Sequence, residues 1–423
     1  MRSLVTLLCL AATLVSTRSA FAEDWLEFRG PGGLGHSLAS GLPTKWSEGE
    51  NVVWKEPIPG KGWSSPVIVG GKVFLTTAVP TGEDELPAQS LRALSLDAKT
   101  GKIDWDIELF QMAAGRRVHG KNSHASSSPI CDGKRIYVHF GTDGTACLER
   151  DGTVVWKTNE LKYAPVHGNG GSPVLFEDLL ILNCDGADTQ FAVALECPTG
   201  KIRWKRDRGL EPDRGFSFCT PLLVKVDGET QLISSGSDAV FGLSPTTGEE
   251  IWRVRYKGGY SVVPRPVFGH DMVYVCTGFN TPVLLAIRVP GAKGDVTETH
   301  VAWKLTKKVP LDPSPLVVGD DLYLVSDDGI LTCCDAKSGD VRWTQRLGGA
   351  YWASPTFADG RIYIQSEQGE TIVIEPGAEY REIARSNVGE QTFASYAIAD
   401  KAIFLRSEKL LWRLQSMKTT AAQ

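Results

Sequence analysis

The chain lacks the features that mark membrane-spanning proteins, disulfide scaffolds and nucleic-acid binders. Its one long apolar run, Leu4 to Val15, is too short to span a bilayer. Nine cysteines are spread over 423 residues without a CxxC pair, which is typical of small buried thiols rather than of a disulfide framework. A net charge of −5 does not supply the concentrated Lys and Arg that phosphate contacts require, so nucleic acid is excluded as a partner.

Familiar catalytic signatures are also missing. The sequence contains no GxSxG, HExxH, Walker loop or EF-hand pattern. His119 and His124 stand five residues apart and could share a metal ion, but no third ligand is evident near them in the sequence. We therefore predict no metal site.

The N-terminus predicts export. Arg2 precedes the apolar run, and Ala20-Phe21-Ala22 matches an A-x-A cleavage site. We expect a signal peptide over residues 1–22 that is cleaved after Ala22, which leaves a periplasmic or secreted protein without membrane insertion. A buried N-terminal helix is the alternative. The mature net charge would be −7, because the removed segment carries two arginines and no acid.

A repeated phrase of about 40 to 50 residues organises the rest of the chain. It opens with a small residue and a proline, continues as apolar runs separated by Gly or Asp turns, and ends in Thr-Gly-x-x-x-Trp or a variant. The opening position recurs at Ser65, Ser128, Ser172, Thr220, Arg265, Ser314, Ser354 and, without the proline, Ser395. The tryptophan recurs at Trp54, Trp105, Trp156, Trp204, Trp252, Trp303 and Trp343. The seventh unit carries an apolar position near Ile383 instead.

Each unit predicts four strands, which together make an all-β, single eight-bladed β-propeller. In the sixth unit, Asp-Gly and Ser-Gly tips separate Val, Ile, Leu and Tyr runs, a hairpin pattern that argues against paired helices. The eighth unit, from Ala394 to Leu414, has only three strands. We expect the N-terminal strand around Trp54 to complete blade eight, because circular pairing removes the open edges of a sheet.

The predicted organisation is a lead-in segment over residues 23–50, a propeller over residues 51–415 and a polar tail over residues 416–423. The seven tryptophans are expected to be structural. Each follows a turn onto the outer strand, where its indole can pack between neighbouring blades. Burying such an aromatic stabilises a junction by several kcal/mol at about 25 cal/mol per Å².

These motifs resemble those of the PQQ-repeat, or tryptophan-docking, propellers, which are similar to quinoprotein dehydrogenases. The matching phrase runs from Ala93 to Trp105 and returns as Ala194–Trp204 and Cys334–Trp343, and the resemblance covers about residues 52–415. The opening Trp25-Leu26-Glu27-Phe28-Arg29-Gly30-Pro31 resembles the start of exported propellers of unknown role, known largely from planctomycete-type bacteria. The resemblance implies the fold more specifically than any activity.

The resemblance also implies two opposite functions. Quinoprotein alcohol dehydrogenases of this family hold PQQ and Ca²⁺ over the channel, whereas a propeller lipoprotein of the outer-membrane assembly machinery binds partners without a cofactor. Some quinoprotein dehydrogenases carry an adjacent cysteine pair bonded against the cofactor. Here Cys333 and Cys334 fall within a strand, where neighbours point to opposite faces, so we expect two free thiols.

The candidate site consists of polar and aromatic residues in the loops that lead into each inner strand, because these loops converge at one mouth of a propeller channel. The predicted ligand-binding residues are Lys61, Trp63, His119, Asn122, His124, His167, Asn169, Arg214, Tyr260, Arg265, Asp312 and Trp352. Lys121, Tyr351, Gln391 and Phe393 fall in the same loops. A solvated rim that bonds only its own loops is the alternative interpretation.

We expect a non-enzymatic, monomeric protein that binds a protein, a glycan or a small anionic ligand at this mouth, with no catalytic residue and no cofactor. The first alternative is a dehydrogenase of alcohols or sugars that depends on PQQ and Ca²⁺. A hydrolase or lyase built on the same mouth is a further alternative.

Overall fold

The computed structural model describes residues 24–417 of the chain. Eight antiparallel sheets follow one another around a central channel, which confirms the predicted eight-bladed propeller. The predicted signal peptide over residues 1–22 and most of the predicted polar tail lie outside the described residues.

In chain order the strands are β1 (Val52–Pro57), β2 (Val67–Val69), β3 (Lys72–Thr81), β4 (Ala88–Asp97), β5 (Ile103–Met112), β6 (Ile130–Cys131), β7 (Arg135–His139), β8 (Thr145–Glu149), β9 (Val154–Thr158), β10 (Val174–Phe176), β11 (Leu179–Asp185), β12 (Gln190–Glu196), β13 (Ile202–Asp207), β14 (Leu222–Val226), β15 (Glu229–Ser235), β16 (Ala239–Leu243), β17 (Glu250–Arg255), β18 (Val267–Gly269), β19 (Met272–Cys276), β20 (Leu284–Arg288), β21 (Gly294–Asp295), β22 (Val301–Leu305), β23 (Leu316–Val318), β24 (Asp321–Val325), β25 (Ile330–Asp335), β26 (Val341–Arg346), β27 (Thr356–Ala358), β28 (Arg361–Gln365), β29 (Glu370–Glu375), β30 (Arg381–Asn387), β31 (Ala397–Ala399), β32 (Ala402–Arg406) and β33 (Leu410–Gln415). Short 3₁₀ turns occupy Pro31–Gly33 and Gly141–Asp143.

The blades run from blade 1 (β2–β5) through blade 2 (β6–β9), blade 3 (β10–β13), blade 4 (β14–β17), blade 5 (β18–β20 with β22), blade 6 (β23–β26) and blade 7 (β27–β30) to blade 8 (β31–β33 with β1). Blade 4 departs from the four-stranded prediction. The two-residue strand β21, which lies between the last two strands of blade 5, pairs parallel with β17 as a fifth strand. Within the described residues no helix has the length and apolar character needed to cross a membrane.

Burial explains why the sequence patterns differ across a blade. The middle strands are packed on both faces by neighbouring blades, so β25 reads as a continuous apolar run and is buried over its first five residues. The outermost strands have one face in water, so β26 alternates between exposed and partly buried side chains.

The N-terminal strand closes the ring as predicted. β1 pairs antiparallel with β33, with Val52 opposite Leu414 and Pro57 opposite Leu410. The last blade of the chain therefore takes its outer strand from the start of the propeller, which gives blade 8 its fourth strand and joins the two ends of the ring.

Six of the seven tryptophans dock into the next blade. Each indole Nε1 donates to a backbone carbonyl of the following blade, at 2.8 Å from Trp156 to Cys197 and 3.0 Å from Trp204 to Pro245. The same bond runs from Trp54, Trp105, Trp303 and Trp343. Five of these indoles, all except that of Trp343, also lie on the turn glycine of the following blade. A Cβ atom added at Gly200 would stand 2.6 Å from the Trp156 ring, which explains the Thr-Gly of the motif.

Trp252 is the exception. It is fully buried, but its Nε1 donates at 2.8 Å to Gln231 Oε1 of its own blade. The indole lies over Gly242, where a Cβ would approach Nε1 to 2.1 Å. The sequence offered no sign of this change beyond the glycine in β16.

In blade 7, Ala384 stands opposite Val373, in the register that tryptophan holds elsewhere, and the neighbouring Ile383 is partly exposed. Trp46 of the N-terminal segment is buried in the same apolar cluster as Ala384, and its backbone N–H donates to Ser386 Oγ at 3.0 Å. The N-terminal segment thus supplies an indole to the one junction that lacks a docked tryptophan in sequence.

The same segment crosses one end of the channel. Trp25 pairs with Ile68 of blade 1, and Gly35 accepts the N–H of Phe357 in blade 7. These contacts lie just beyond the small residue–proline positions, on the opposite side from the loops that precede them. The segment therefore closes the end of the channel that faces away from the predicted mouth.

Candidate functional site

One cavity of about 430 Å³ occupies the predicted mouth. Every blade contributes to its lining through the loop that leads into its inner strand. These residues are Trp63, His119, His167, Arg214, Tyr260, Asp312, Trp352 and Phe393. The volume falls within the range of small-molecule sites. The structure thus brings together residues that are more than 300 positions apart in the sequence.

Two arcs of aromatic rings form the walls. Trp63 packs edge-on against Phe393 with ring centroids 4.5 Å apart, and Phe393 lies 6.1 Å from Trp352. On the other side, Tyr260 lies 5.8 Å from Phe279, and Phe218 lines the same side of the cavity. Such walls suit a planar or apolar ligand body, since aromatic pairs gain about 0.5–1.5 kcal/mol beyond burial.

Two cations reach the cavity, Lys121 from the loop that leads into blade 2 and Arg214 from the loop that leads into blade 4. The Lys121 ammonium lies 3.3 Å from the centroid of the Trp352 ring, and the Arg214 guanidinium lies 5.0 Å from the Tyr260 ring. Arg214 also donates to the Tyr260 hydroxyl at 3.1 Å. Cation–π contacts of this type orient a charge while leaving its remaining donors available to a ligand.

A carboxyl pair stands beside Lys121. Its ammonium is 3.5 Å from Asp312 Oδ2 and 3.9 Å from Asp327 Oδ2. Asp327 Oδ1 accepts the Leu311 N–H at 2.8 Å, while its Oδ2 is buried without a hydrogen-bond partner. Burial, followed by the neighbouring Asp312 carboxylate, raises the pKa of Asp327 to about 8. The pair therefore holds a proton at neutral pH.

Two histidines lie together at the lip. The rings of His119 and His167 have centroids 5.1 Å apart, and the His119 N–H donates to the His167 carbonyl. Burial, together with the nearby His119, lowers the pKa of His167. His124 is not part of this pair, and among the described residues no group of three His, Cys, Asp or Glu side chains could hold a metal.

Eight of the twelve predicted ligand-binding residues, Asn122 among them, line the cavity, and four do not. Lys61 pairs with Ala78 and places its ammonium 3.7 Å from Glu408, outside the cavity. His124 lies near Arg116 and Asp143, and burial lowers its pKa. Asn169 accepts a hydrogen bond from the Tyr163 hydroxyl at 3.0 Å.

The predicted mouth position of Arg265 is wrong. This side chain is 2% exposed and turns away from the mouth. Its guanidinium donates to the Phe28 carbonyl at 2.6 Å and to Glu27 Oε2 at 2.9 Å. Arg265 was predicted to lie at the mouth because it directly precedes the proline of its repeat. Its hydrogen-bond partners instead come from the N-terminal segment at the closed end of the channel.

Three residues that lie in or beside the cavity were not predicted from the sequence. Asp327 follows its strand in a hairpin, 15 positions after Asp312, and only the fold places the two carboxyls together. Glu367 accepts the Trp352 Nε1 at 2.8 Å and the Gln391 amide at 2.7 Å. Phe28 reaches the cavity from the closed end, which no spacing in the sequence indicates.

Cys333 and Cys334 are free and buried, as expected. Their side chains pack on opposite faces of β25, Cys333 toward blade 7 and Cys334 toward blade 5. Burial raises the pKa of each thiol to about 12. Neither residue lines the cavity.

The family model described as outer membrane protein assembly factor BamB matches residues 40–162, 188–289 and 292–379. The chain therefore belongs to this family of PQQ-repeat propellers. It is similar to the structure of BamB from Moraxella catarrhalis, with a TM-score of 0.61 and 13% identity over 88% of this chain and 99% of that chain. It also matches the quinohemoprotein alcohol dehydrogenase from Comamonas testosteroni, with a TM-score of 0.56 and 11% identity over 95% of this chain and 82% of that chain.

One curated relative is the tetrathionate hydrolase of Acidithiobacillus ferrooxidans. It is 22% identical over 272 residues, which are 60% of this chain and 45% of the relative. The chain thus spans less than half the length of that protein. At these identities the solved structures show a shared fold, and activity has to be argued from the cavity itself.

The residues of the cavity do not fit PQQ with Ca²⁺. A Ca²⁺ ion takes six to eight oxygen ligands, usually several of them carboxylates. The carboxyl pair of Asp312 and Asp327 instead faces the Lys121 ammonium and retains a proton. The adjacent cysteines, which would lie against the cofactor in a quinoprotein dehydrogenase, are buried in the body of blade 6.

Proposed function

We propose that this protein is an exported binding protein that holds a small anionic ligand, or an anionic group of a glycan or protein partner, in the central cavity. The observation that carries the proposal is the cavity of about 430 Å³ in which Lys121 and Arg214 stand over aromatic rings. Anions are recognised by charged donors held in fixed positions, and aromatic walls favour an organic body.

The electrostatics of the cavity support an anion over a cation. Asp327 retains its proton at neutral pH, so the carboxyl pair carries at most one negative charge, and the Lys121 ammonium stands 3.5 Å from Asp312 to balance it. Arg214 has a hydroxyl, not a carboxylate, as its side-chain partner. The cavity therefore carries an uncompensated positive charge at the side of blade 4.

Calorimetric titration with aromatic sulfonates, aromatic carboxylates and PQQ plus Ca²⁺ tests the proposal. Lys121→Met and Arg214→Gln should each weaken binding of an anionic ligand about tenfold, the effect of losing one hydrogen bond to a charged group. Lys337→Gln is the matched control, because Lys337 pairs with Asp320 on an exposed turn. Binding of PQQ plus Ca²⁺ with dye reduction in the presence of alcohols would overturn the proposal.

Hydrolysis of an anionic substrate in the same cavity is the second candidate function. The carboxyl pair favours it, because Asp327 retains a proton at neutral pH directly beside Asp312, whose side chain lines the cavity. The similarity to a tetrathionate hydrolase makes tetrathionate the first substrate to test. Consumption of tetrathionate that is lost in Asp327→Asn and retained in Lys337→Gln would establish catalysis. Binding of tetrathionate without its consumption would show that the protein only binds it.

A further inference from the structure

Seven hydroxyls form a ring around the floor of the cavity, which we call the hydroxyl ring: Ser65, Ser128, Ser172, Thr220, Ser314, Ser354 and Ser395. All seven line the cavity and are at most 4% exposed. Six of them stand directly before the proline of their repeat, and Ser395 holds the equivalent position in the eighth repeat, which has no proline. Arg265 stands at the remaining position, in blade 5.

Each hydroxyl oxygen accepts a backbone N–H from the residue at the same position in the preceding blade. The bonds run from Ser65 to Ser128, from Ser128 to Ser172 and onward to Thr220, all at 2.9 Å. They resume from Arg265 to Ser314 and continue through Ser354 and Ser395 back to Ser65, at 2.9 to 3.1 Å. The hydroxyls therefore join the blades at the channel.

Every ring hydroxyl still has one hydrogen to donate, because its oxygen is used as an acceptor. Ser354 donates to the Ser314 oxygen at 3.0 Å. The other six hydroxyl hydrogens find no acceptor among residues 24–417, although the side chains are almost completely buried. The floor of the cavity thus presents a surplus of donors, which a ligand rich in acceptor atoms would satisfy.

Two buried arginines add positive charge around this floor. Arg29 donates to the carbonyls of Ser314 and Pro315, at 3.4 and 2.8 Å, and has no carboxylate partner among the described residues. Burial, followed by the charge of Arg265, lowers the pKa of Arg29 to about 9.

Arg406 lies in β32 of blade 8 and donates to the carbonyl and hydroxyl of Ser64, next to the ring. It is also fully buried without a carboxylate, and burial lowers its pKa to about 9. Removing a charge from water without a counter-ion is costly, so an anion at the floor would be stabilised by both guanidinium groups through space.

We propose that the hydroxyl ring is an oxyanion subsite, which receives a tetrahedral sulfonate, sulfate or phosphate group whose organic body lies between the aromatic walls. The proposal rests on the proposed function and gives the ligand its class and orientation. A tetrahedral group spreads its oxygens around an axis and can meet donors on several blades at once, whereas a planar carboxylate meets donors in one plane. Phe28 closes the floor, so the oxyanion enters first and the body remains toward the mouth.

The test is calorimetric titration of the full chain with naphthalene-2-sulfonate, naphthalene-2-carboxylate and neutral 2-naphthol. We expect the sulfonate to bind at least tenfold more tightly than the carboxylate, and 2-naphthol to bind more weakly than both. Thr220→Val removes a ring hydroxyl at nearly constant shape and should weaken sulfonate binding about tenfold. Thr220→Ser keeps the hydroxyl and should bind within about twofold of the wild type.

Thr332→Val controls for the loss of a buried hydroxyl away from the cavity, since Thr332 Oγ1 is buried in β25. Circular dichroism establishes that each variant is folded before titration. If the sulfonate binds and Lys121→Met weakens it while Thr220→Val does not, the ring is not the subsite and the proposed function stands. If neither anion binds the wild type better than 2-naphthol does, both proposals fail.

Discussion

The circumference and the centre of this propeller follow opposite rules. At the circumference one contact is repeated, because six indoles donate to a carbonyl of the next blade and five of them lie on its turn glycine. At the mouth each blade contributes a different side chain, from Trp63 in blade 1 to Phe393 in blade 8. Repetition holds the blades together, and variation between blades makes a site.

The junction between blades 4 and 5 shows how far the two regions depend on each other. There the outer indole of Trp252 turns back to Gln231, and the inner hydroxyl is replaced by Arg265. The N-terminal segment reaches this junction through Glu27 and Phe28, and β21 covers its outer edge. Both regular contacts are lost at one place, and contacts from outside the repeat replace them.

The largest effect is expected from removing the segment that closes the ring. Deleting residues 24–57 takes away β1, the docked Trp54 and the Glu27 and Phe28 partners of Arg265, and leaves blade 8 with three strands. We expect loss of cooperative unfolding, measured by calorimetry. A truncated protein that melts as one sharp transition near the wild-type temperature would show that the closure is dispensable.

A single docked indole should matter next. Trp204→Ala leaves a cavity between blades 3 and 4 and should lower the free energy of unfolding by about 3–5 kcal/mol. Denaturant titration measures the change. Val341→Ala, at an exposed position of an outer strand, is the control and should be close to neutral. Ligand affinity at low temperature should be unchanged in both variants, because neither side chain lines the cavity.

The packing of Trp252 at the junction between blades 4 and 5 can be tested by adding a single carbon atom. Gly242→Ala places a Cβ against the buried Trp252 indole and should cost about 1–3 kcal/mol through overpacking. Gly49→Ala is the control, because a Cβ at Gly49 meets nothing within 4 Å. Equal stability of the two variants in denaturant titration would mean that Trp252 can return to the docked position of its counterparts.

The last effect is expected at the centre of the propeller, where it depends on pH. Asp327 keeps its proton to about pH 8 in the folded protein, whereas an unfolded carboxyl loses it near 3.8. The folded state therefore binds more protons between these values, and wild-type stability falls relative to Asp327→Asn as pH rises from 4 to 8. In denaturant titrations we expect the variant to gain stability over the wild type at pH 9 and to show no such gain at pH 3.

The same carboxyl should affect ligand binding. Above pH 8 the wild type gains a negative charge beside Lys121 and Asp312, so anion affinity should fall, while Asp327→Asn should bind equally at pH 7 and pH 9. Calorimetry at the two pH values measures this difference. An identical decline in the variant would assign the pH dependence to another group.

Much of this architecture was readable from the sequence because the repeat carries its own geometry. The glycine of each turn must leave room for an indole, and each outer strand exposes one face to water. Both requirements recur once per repeat and are visible in the sequence. The blade count, the strand order and the closure around Trp54 could therefore be predicted. The same logic placed eight loop residues, from Trp63 to Trp352, around one mouth.

Only the tertiary structure decided what those residues face. Asp327 meets Asp312 across a hairpin, Arg265 turns toward Glu27, and Trp252 stays within its own blade. These outcomes depend on contacts between segments that are far apart in the chain, and on the balance of charge, burial and the space beside a glycine. The spacing of residues in the sequence does not show which of these segments come into contact. The sequence determined the propeller and its repeated junctions, and the fold determined the charge and the donors of the cavity.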